Sequence, residues 1–156
     1  MKRVFVAMPV SDNLASDGRF RVERRQFFES LVEILEAMGW EVASAGTNEN
    51  WGAVKLTPIE FTLYDIDALA AADCLVIITN ERLNRDMYLE MGLAAARRIP
   101  IIAILPASTK LTYMAIGLEE LGLLTVRRYD SEAEVPDLLR SAVSDLSDPE
   151  LALAAD

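Results

Sequence analysis

Cys74-Leu75-Val76-Ile77-Ile78-Thr79, then a polar run through residue 85, then Asp86-Met87-Tyr88-Leu89-Glu90-Met91-Gly92-Leu93-Ala94-Ala95, is the stretch that sets the fold. The first part is apolar without alternation and too short for a helix, so it reads as a strand buried on both faces, in the middle of a parallel sheet. In the last part Met87, Met91, Ala94 and Ala95 recur at helical spacing, and Arg97-Arg98 complement the dipole at the helix end. Asp86 is expected as the N-cap of this helix. Residues 99–105 are another continuous apolar run, which completes a strand-helix-strand unit.

The same grammar extends outward. Residues 4–8 form a short apolar strand stopped by Pro9, and after a polar loop Phe28, Leu31, Val32, Leu35 and Met38 mark an amphipathic helix ended by Gly39. Residues 40–45 read as a second strand, followed by a Gly-, Asn- and Thr-rich loop that carries Trp51. Thr57-Pro58-Ile59-Glu60 combines an N-cap hydroxyl, a proline at the first helical position and a glutamate that closes a capping box. The buried stripe of that helix is expected to be Ile59, Leu63, Ile66 and Leu69, with Asp65 and Asp67 off it. Towards the end, residues 123–129 read as a strand, and Ser131-x-x-Glu134 opens a helix through Val135, Leu138, Leu139, Ala142 and Leu146. The pattern predicts an α/β fold: a single-domain, doubly wound, flavodoxin-like or Rossmann-like parallel sheet of about five strands with right-handed crossovers. The domain is expected over residues 1–146, with 147–156 as a frayed tail.

Composition narrows the function. The chain has 156 residues, 52% of them hydrophobic and 26% charged, which is one domain with a packed core. Twenty-five acidic residues against 15 basic ones give a net charge of −10, a field that repels phosphodiester backbones and anionic headgroups. Neither nucleic acid nor a membrane is therefore an expected partner, whereas a small anion bound by a few local arginines is compatible. The lone Cys74 excludes an internal disulfide and a cysteine metal cluster. With no histidine, serine-histidine and cysteine-histidine chemistry are excluded, and neither a metal nor a cofactor is expected. No apolar run reaches the roughly 20 residues of a membrane span, so a cytoplasmic protein is expected.

Ligands of such sheets bind beyond the carboxyl ends of the strands, which selects the loops at residues 9–18, 80–85 and 106–110. The usual phosphate loops are absent: no Gly-x-Gly-x-x-Gly follows the first strand, and no Gly-Lys-Ser/Thr occurs. Nor does the acidic pair of a receiver domain, since its places hold Met8-Pro9 and Thr79-Asn80.

Three pieces remain, in order: Phe5-Val6-Ala7-Met8-Pro9, Asp65 ahead of Ala72-Asp73, and Glu90-x-Gly92-x-Ala94 after the third strand. Together, over about residues 4–105, they resemble the nucleoside 2-deoxyribosyltransferase-like superfamily, with its nucleoside-monophosphate N-glycosidases and TIR-like relatives. Two positions differ from the transferases, which carry a glycine where Asp86 stands and a small residue where Met8 stands. The resemblance implies cleavage or transfer at the N-glycosidic bond of a nucleoside or nucleoside 5′-monophosphate. Glu90 would be the carboxylate acting at the anomeric carbon, and Asp65 would hold a sugar hydroxyl or assist proton transfer to the leaving base. A TIR-like module that binds nucleotides or NAD is the alternative.

The chemistry is consistent with the residue types present. Breaking an N-glycosidic bond builds positive charge on the anomeric carbon, which a carboxylate can stabilise or attack without any histidine. The candidate substrate-binding residues are Met8, Pro9, Ser11, Arg19, Asn84, Asp86, Tyr88 and Gly92. Each has an ordinary alternative: a first-turn glutamate facing solvent for Glu90, a solvated helix position for Asp65, packing for Met8 and Tyr88. Gly92 costs a helix about 1 kcal/mol relative to alanine, which suggests close packing or ligand approach. Ser11 and Arg19 are the expected phosphate contacts. The small residues Ala94 to Ala96 suggest a homo-oligomer, a dimer or larger, with Ser108, Thr109 and Tyr113 as candidates to reach a neighbouring subunit.

Overall fold

Five parallel strands in the order β2-β1-β3-β4-β5 make the sheet of the computed structural model, which describes residues 1–146. The strands are β1 (Lys2–Ala7), β2 (Trp40–Ser44), β3 (Cys74–Ile78), β4 (Ile101–Pro106) and β5 (Leu124–Tyr129). The expected tail, residues 147–156, lies outside the described residues. The register pairs Val6 with Val76 and Leu75 with Ile101, so that like faces line up across the sheet.

Because side chains alternate along a strand, the sheet separates two cores. Val4, Val6, Val76, Ile78, Ile102 and Ile104 point to one face, under α1 (Val22–Ala37) and α6 (Val135–Asp145). Phe5, Ala7, Leu75, Ile77, Ile101 and Ala103 point to the other, under α3 (Pro58–Ala71), α4 (Arg85–Ala96) and α5 (Tyr113–Glu120). Each such aliphatic or aromatic side chain contributes about 1.5–3 kcal/mol by leaving water.

Both capping boxes form, at Thr57 with Glu60 and at Ser131 with Glu134, and Gly39 takes the left-handed conformation (φ 86°) that ends α1. Two expectations need correction, and two features are new. The N-cap of α4 is Asn84, whose side chain accepts from the Met87 N–H at 2.9 Å, so Asp86 lies inside the first turn. The inward face of α3 carries Asp65 and Leu69, while Ile59 is 71% and Leu63 54% exposed. Ile59, Leu63 and Ile66 do form a stripe at helical spacing, but its beginning faces outward. Residues 113–120 are a helix that the pattern did not announce, started by the Thr112 hydroxyl.

The second new feature is the loop after β2, whose conformation the sequence pattern leaves open. It opens with the short α2 (Ala45–Asn48), capped by Ser44, then passes through two left-handed residues, Asn50 (φ 45°) and Trp51 (φ 57°). Non-glycine residues adopt that region at a cost of about 1–2 kcal/mol each. Here the conformation is held by hydrogen bonds from Trp51 N–H to the Gly46 carbonyl (2.8 Å) and from Phe20 N–H to the Trp51 carbonyl (3.1 Å). The buried indole meets Phe20 edge-on at 5.4 Å.

Candidate active site

The crossover from β1 leads to β2 on one side, and the one from β3 leads to β4 on the other. The loops after β1 and β3 therefore part at the switch in winding direction, where open α/β sheets place their ligands. An inner cavity of about 30 Å³ lies there, walled by Met8, Val10 and Ser11 from the first loop, Ala45 and Phe61 from the second crossover, and Asn84, Asp86 and Glu90 from α4. A wider cleft of about 460 Å³ shares Ser11, Asn84 and Asp86 with it and adds Asp12, Arg82, Leu83, Arg85 and Tyr88.

Glu90 is 8% exposed and its Oε2 is buried without a hydrogen-bond partner; Asp65 is 7% exposed and its Oδ1 is in the same condition. Neither is the solvated surface residue of the ordinary reading. Asp65 shares the inward face of α3 with Leu69 and lines neither space, but its charge is close enough to act on Glu90. Burial pushes Asp65 up to about 7, helped by the charges of Glu49 and Asp86. Burial likewise pushes Glu90 up to about 8, helped by Asp65 and Asp86. With Asp65 raised to about 7 and Glu90 to about 8, the pair at neutral pH retains a proton that ordinary carboxyls have lost. Such a pair can present a negative charge and an acidic proton at the same place. Among the described residues, no group of three or more histidine, cysteine or acidic side chains is arranged to hold a metal ion.

Of the expected binding residues, Met8, Ser11, Asn84 and Asp86 line the inner cavity with Glu90, and Tyr88 lines the outer cleft. Pro9 is buried behind the wall, its carbonyl accepting from the Asn13 side chain. Arg19 is exposed and lines neither space. Gly92 is not brought to the cleft: it lines a separate apolar groove with Tyr88, Met91, Tyr113 and Met114, and a Cβ there would meet nothing within 4 Å. The close packing expected at Gly92 is therefore not found. Thr109 does not face outward either, since its hydroxyl donates to the Glu81 carbonyl of the same chain at 2.8 Å.

Sequence reasoning missed Glu49, Phe61, Val10 and Ala45, and passed over Arg82 and Arg85. The strand-end rule applied to the loop after β2 would have found Ala45 and Glu49. Both arginines flank the cleft and, among the described residues, neither enters an ion pair.

No family model matches the chain, and no curated protein matches its sequence. Solved structures do. The CMP N-glycosidase BcmB of Clostridium botulinum is 24% identical, with 90% of this chain and 99% of that one covered and a TM-score of 0.68. The solution structure of BlsM is 26% identical, with 95% of each chain covered and a TM-score of 0.72. A conserved protein from Enterococcus faecalis V583 is 16% identical over 91% of this chain and 99% of that one, with a TM-score of 0.56. The likeness to the nucleoside 2-deoxyribosyltransferase-like superfamily thus extends from three short motifs to the whole fold.

Proposed function

We propose that this chain, sharing the whole fold of the nucleoside 2-deoxyribosyltransferase-like superfamily, breaks the N-glycosidic bond of a nucleoside or nucleoside 5′-monophosphate. One observation carries the reading: Glu90 walls the cavity at the switch point of the sheet, buried with an unpartnered oxygen and within electrostatic reach of a second such carboxyl, Asp65. Carboxyls left so cost folding free energy and mark a functional site. The likeness in fold to a CMP N-glycosidase supports the same bond class.

In this mechanism the sugar lies against Glu90, between Ser11 and Asn84, with its base towards Met8, Ala45 and Phe61. As the bond stretches, positive charge grows on the anomeric carbon and the Glu90 carboxylate stabilises or captures it. The growing cation favours the ionised form of Glu90 and so drives the pair's proton outward, where Asp65 passes it to the leaving base. Water or a second base then takes the sugar. The cavity wall is apolar on the base side, which keeps the charge interactions undiluted by solvent.

The working form is a homo-oligomer, with a second copy seated on the apolar groove between α4 and α5. Tyr113 (92% exposed) and Met114 (81%) stand open on that groove, and Tyr88 lines both it and the cleft. A partner there borders the substrate site.

A chromatographic screen for free-base release from nucleosides, their 5′-monophosphates and NAD tests the reading. Release from a nucleoside or monophosphate is expected; release from NAD alone would move the protein to the TIR-like reading, and no release from any of them would refute the proposal.

A further inference from the structure

The cavity wall made by Met8, Val10 and Ser11 belongs to a loop with little regular structure of its own, one short 3-10 turn at Ser11–Asn13. Its shape depends on a side chain that no part of the reaction uses. Asn13 is completely buried, and its amide spends both ends: Nδ2 donates to the Pro9 carbonyl, and Oδ1 accepts from Arg24 Nε at 3.1 Å and from Arg21 Nη2 at a longer 3.5 Å. Its backbone closes the loop as well, donating to the Val10 carbonyl at 3.0 Å and accepting from Arg21 N–H at 2.9 Å. Arg24 continues the chain. Its Nη1 lies 2.8 Å from both carboxylate oxygens of Glu132, on the turn after β5, and its guanidinium stacks over Phe27 and Phe28 at 4.8 and 5.3 Å. The remaining nitrogen, Nη2, is buried without a partner, so these contacts alone hold the guanidinium.

We propose that the Glu132–Arg24–Asn13 chain is a positioning device that fixes the Pro9–Ser11 turn against the substrate cavity. It rests on the function proposed above but touches neither substrate nor the carboxyl pair. Two features support it. An amide fully enclosed and used at both ends has one orientation, so it holds the Pro9 carbonyl, and with it Val10 and Ser11, in one place. The Arg24 fork ties that orientation to a carboxylate at the far end of the sheet, 108 residues along the chain. Burial of the arginine beside two aromatic rings makes the tie far less subject to solvent screening than the exposed ion pairs elsewhere on the molecule.

Asn13→Asp separates positioning from simple support. It keeps the acceptor for Arg24, now as a charged pair, but removes the donor to the Pro9 carbonyl. The folded state should survive with a melting temperature lowered by several degrees, since the buried Pro9 carbonyl then faces an acceptor. Backbone amides of residues 10–14 should exchange with deuterium about tenfold faster, the fold-change of one lost hydrogen bond. KM for the released-base substrate should rise about tenfold with kcat within a factor of three and an unchanged pH profile, since Glu90 and Asp65 are untouched. Arg24→Lys, which keeps charge for Glu132 but cannot fork, should show the same split. Unchanged exchange in both variants overturns the clamp whether or not the protein releases a base. A change in kcat with unchanged KM overturns the positioning role even if the loop loosens. Were wild-type protein to release no base, the function would fail while the exchange measurement still decided the clamp.

Discussion

The two faces of the sheet are finished differently. Against the α1 and α6 layer, Arg24 pairs with Glu132, Arg25 with Glu29, Arg127 with Asp145 and Arg140 with Asp137, and Val22 is the large exposed hydrophobic residue of those helices. Among the described residues, the α3, α4 and α5 layer has no ion pair, exposes Ile59, Leu63, Leu89, Tyr113, Met114 and Ile116, and buries Asp65 and Glu90 without full partners. One layer pairs its charges, although Arg24 Nη2 is buried there without a partner. The other keeps uncompensated carboxyls inside and apolar surface outside, arrangements retained where function needs them in spite of their cost. On the function proposed above, the chemistry belongs to α3 and α4, and the contact with a second copy to α4 and α5.

The sharpest way to break this contrast is to neutralise the buried pair. Glu90→Gln should abolish base release with the fold intact, and Asp65→Asn should reduce it by about 10²- to 10⁴-fold, as for a positioned acid-base group. Steady-state rates for well-folded variants check both, and wild-type turnover in either would return that residue to a supporting role. The corresponding exchange on the other layer, Arg140→Gln, should leave turnover unchanged.

Stability should move the opposite way. Both carboxyls hold protons more tightly in the fold than in the unfolded chain, where they titrate near their ordinary values. The folded state therefore binds more protons between about pH 4 and 8, and its stability falls as pH rises through that window. Glu90→Gln should gain on the order of 2 kcal/mol above pH 8 and little at pH 5. Denaturant melts at the two pH values test this; a gain equal at both would mean that the charge of Glu90 is not what costs.

Smaller effects concern substrate and partner. The unpaired Arg82 and Arg85, with Ser11 and the start of α4, replace Arg19 as the expected holders of a 5′-phosphate. Monophosphates should be preferred over nucleosides about tenfold in kcat/KM, a preference reduced in Arg82→Ala or Arg85→Ala and kept in Arg19→Ala. Equal specificity constants in the wild type would remove the phosphate from the substrate. Leu89→Lys with Tyr113→Lys should shift light-scattering mass from dimer or larger towards monomer, and a wild-type monomer with full activity would count against the second copy.

Strands buried on both faces were legible because apolar runs such as residues 74–78 are too short for a helix, rich in β-branched residues and bounded by polar segments. Caps were legible because Thr57, Glu60, Ser131 and Glu134 act within one turn. Glu90 was found by its companions Gly92 and Ala94, although Gly92 itself faces another groove. Asp65 was harder: Ile59, Leu63 and Ile66 imitate a buried stripe, and only tertiary packing shows that α3 turns a carboxylate inward instead. The helix at residues 113–120 lacks an apolar stripe, since only Ala115 is fully buried, and hydrophobic periodicity cannot announce a helix that the sheet barely covers. Arg82 sits in a loop whose path no local signal fixes, and Arg85 opens α4 just beyond it.

The most direct test of the shared-proton pair is a carbon-13 NMR titration of the Asp65 and Glu90 carboxyl groups. Both midpoints should lie well above the ordinary carboxyl range, with the Glu90 midpoint falling in Asp65→Asn yet staying raised by burial. Ordinary midpoints near 4 for both, unchanged in the variant, would contradict it.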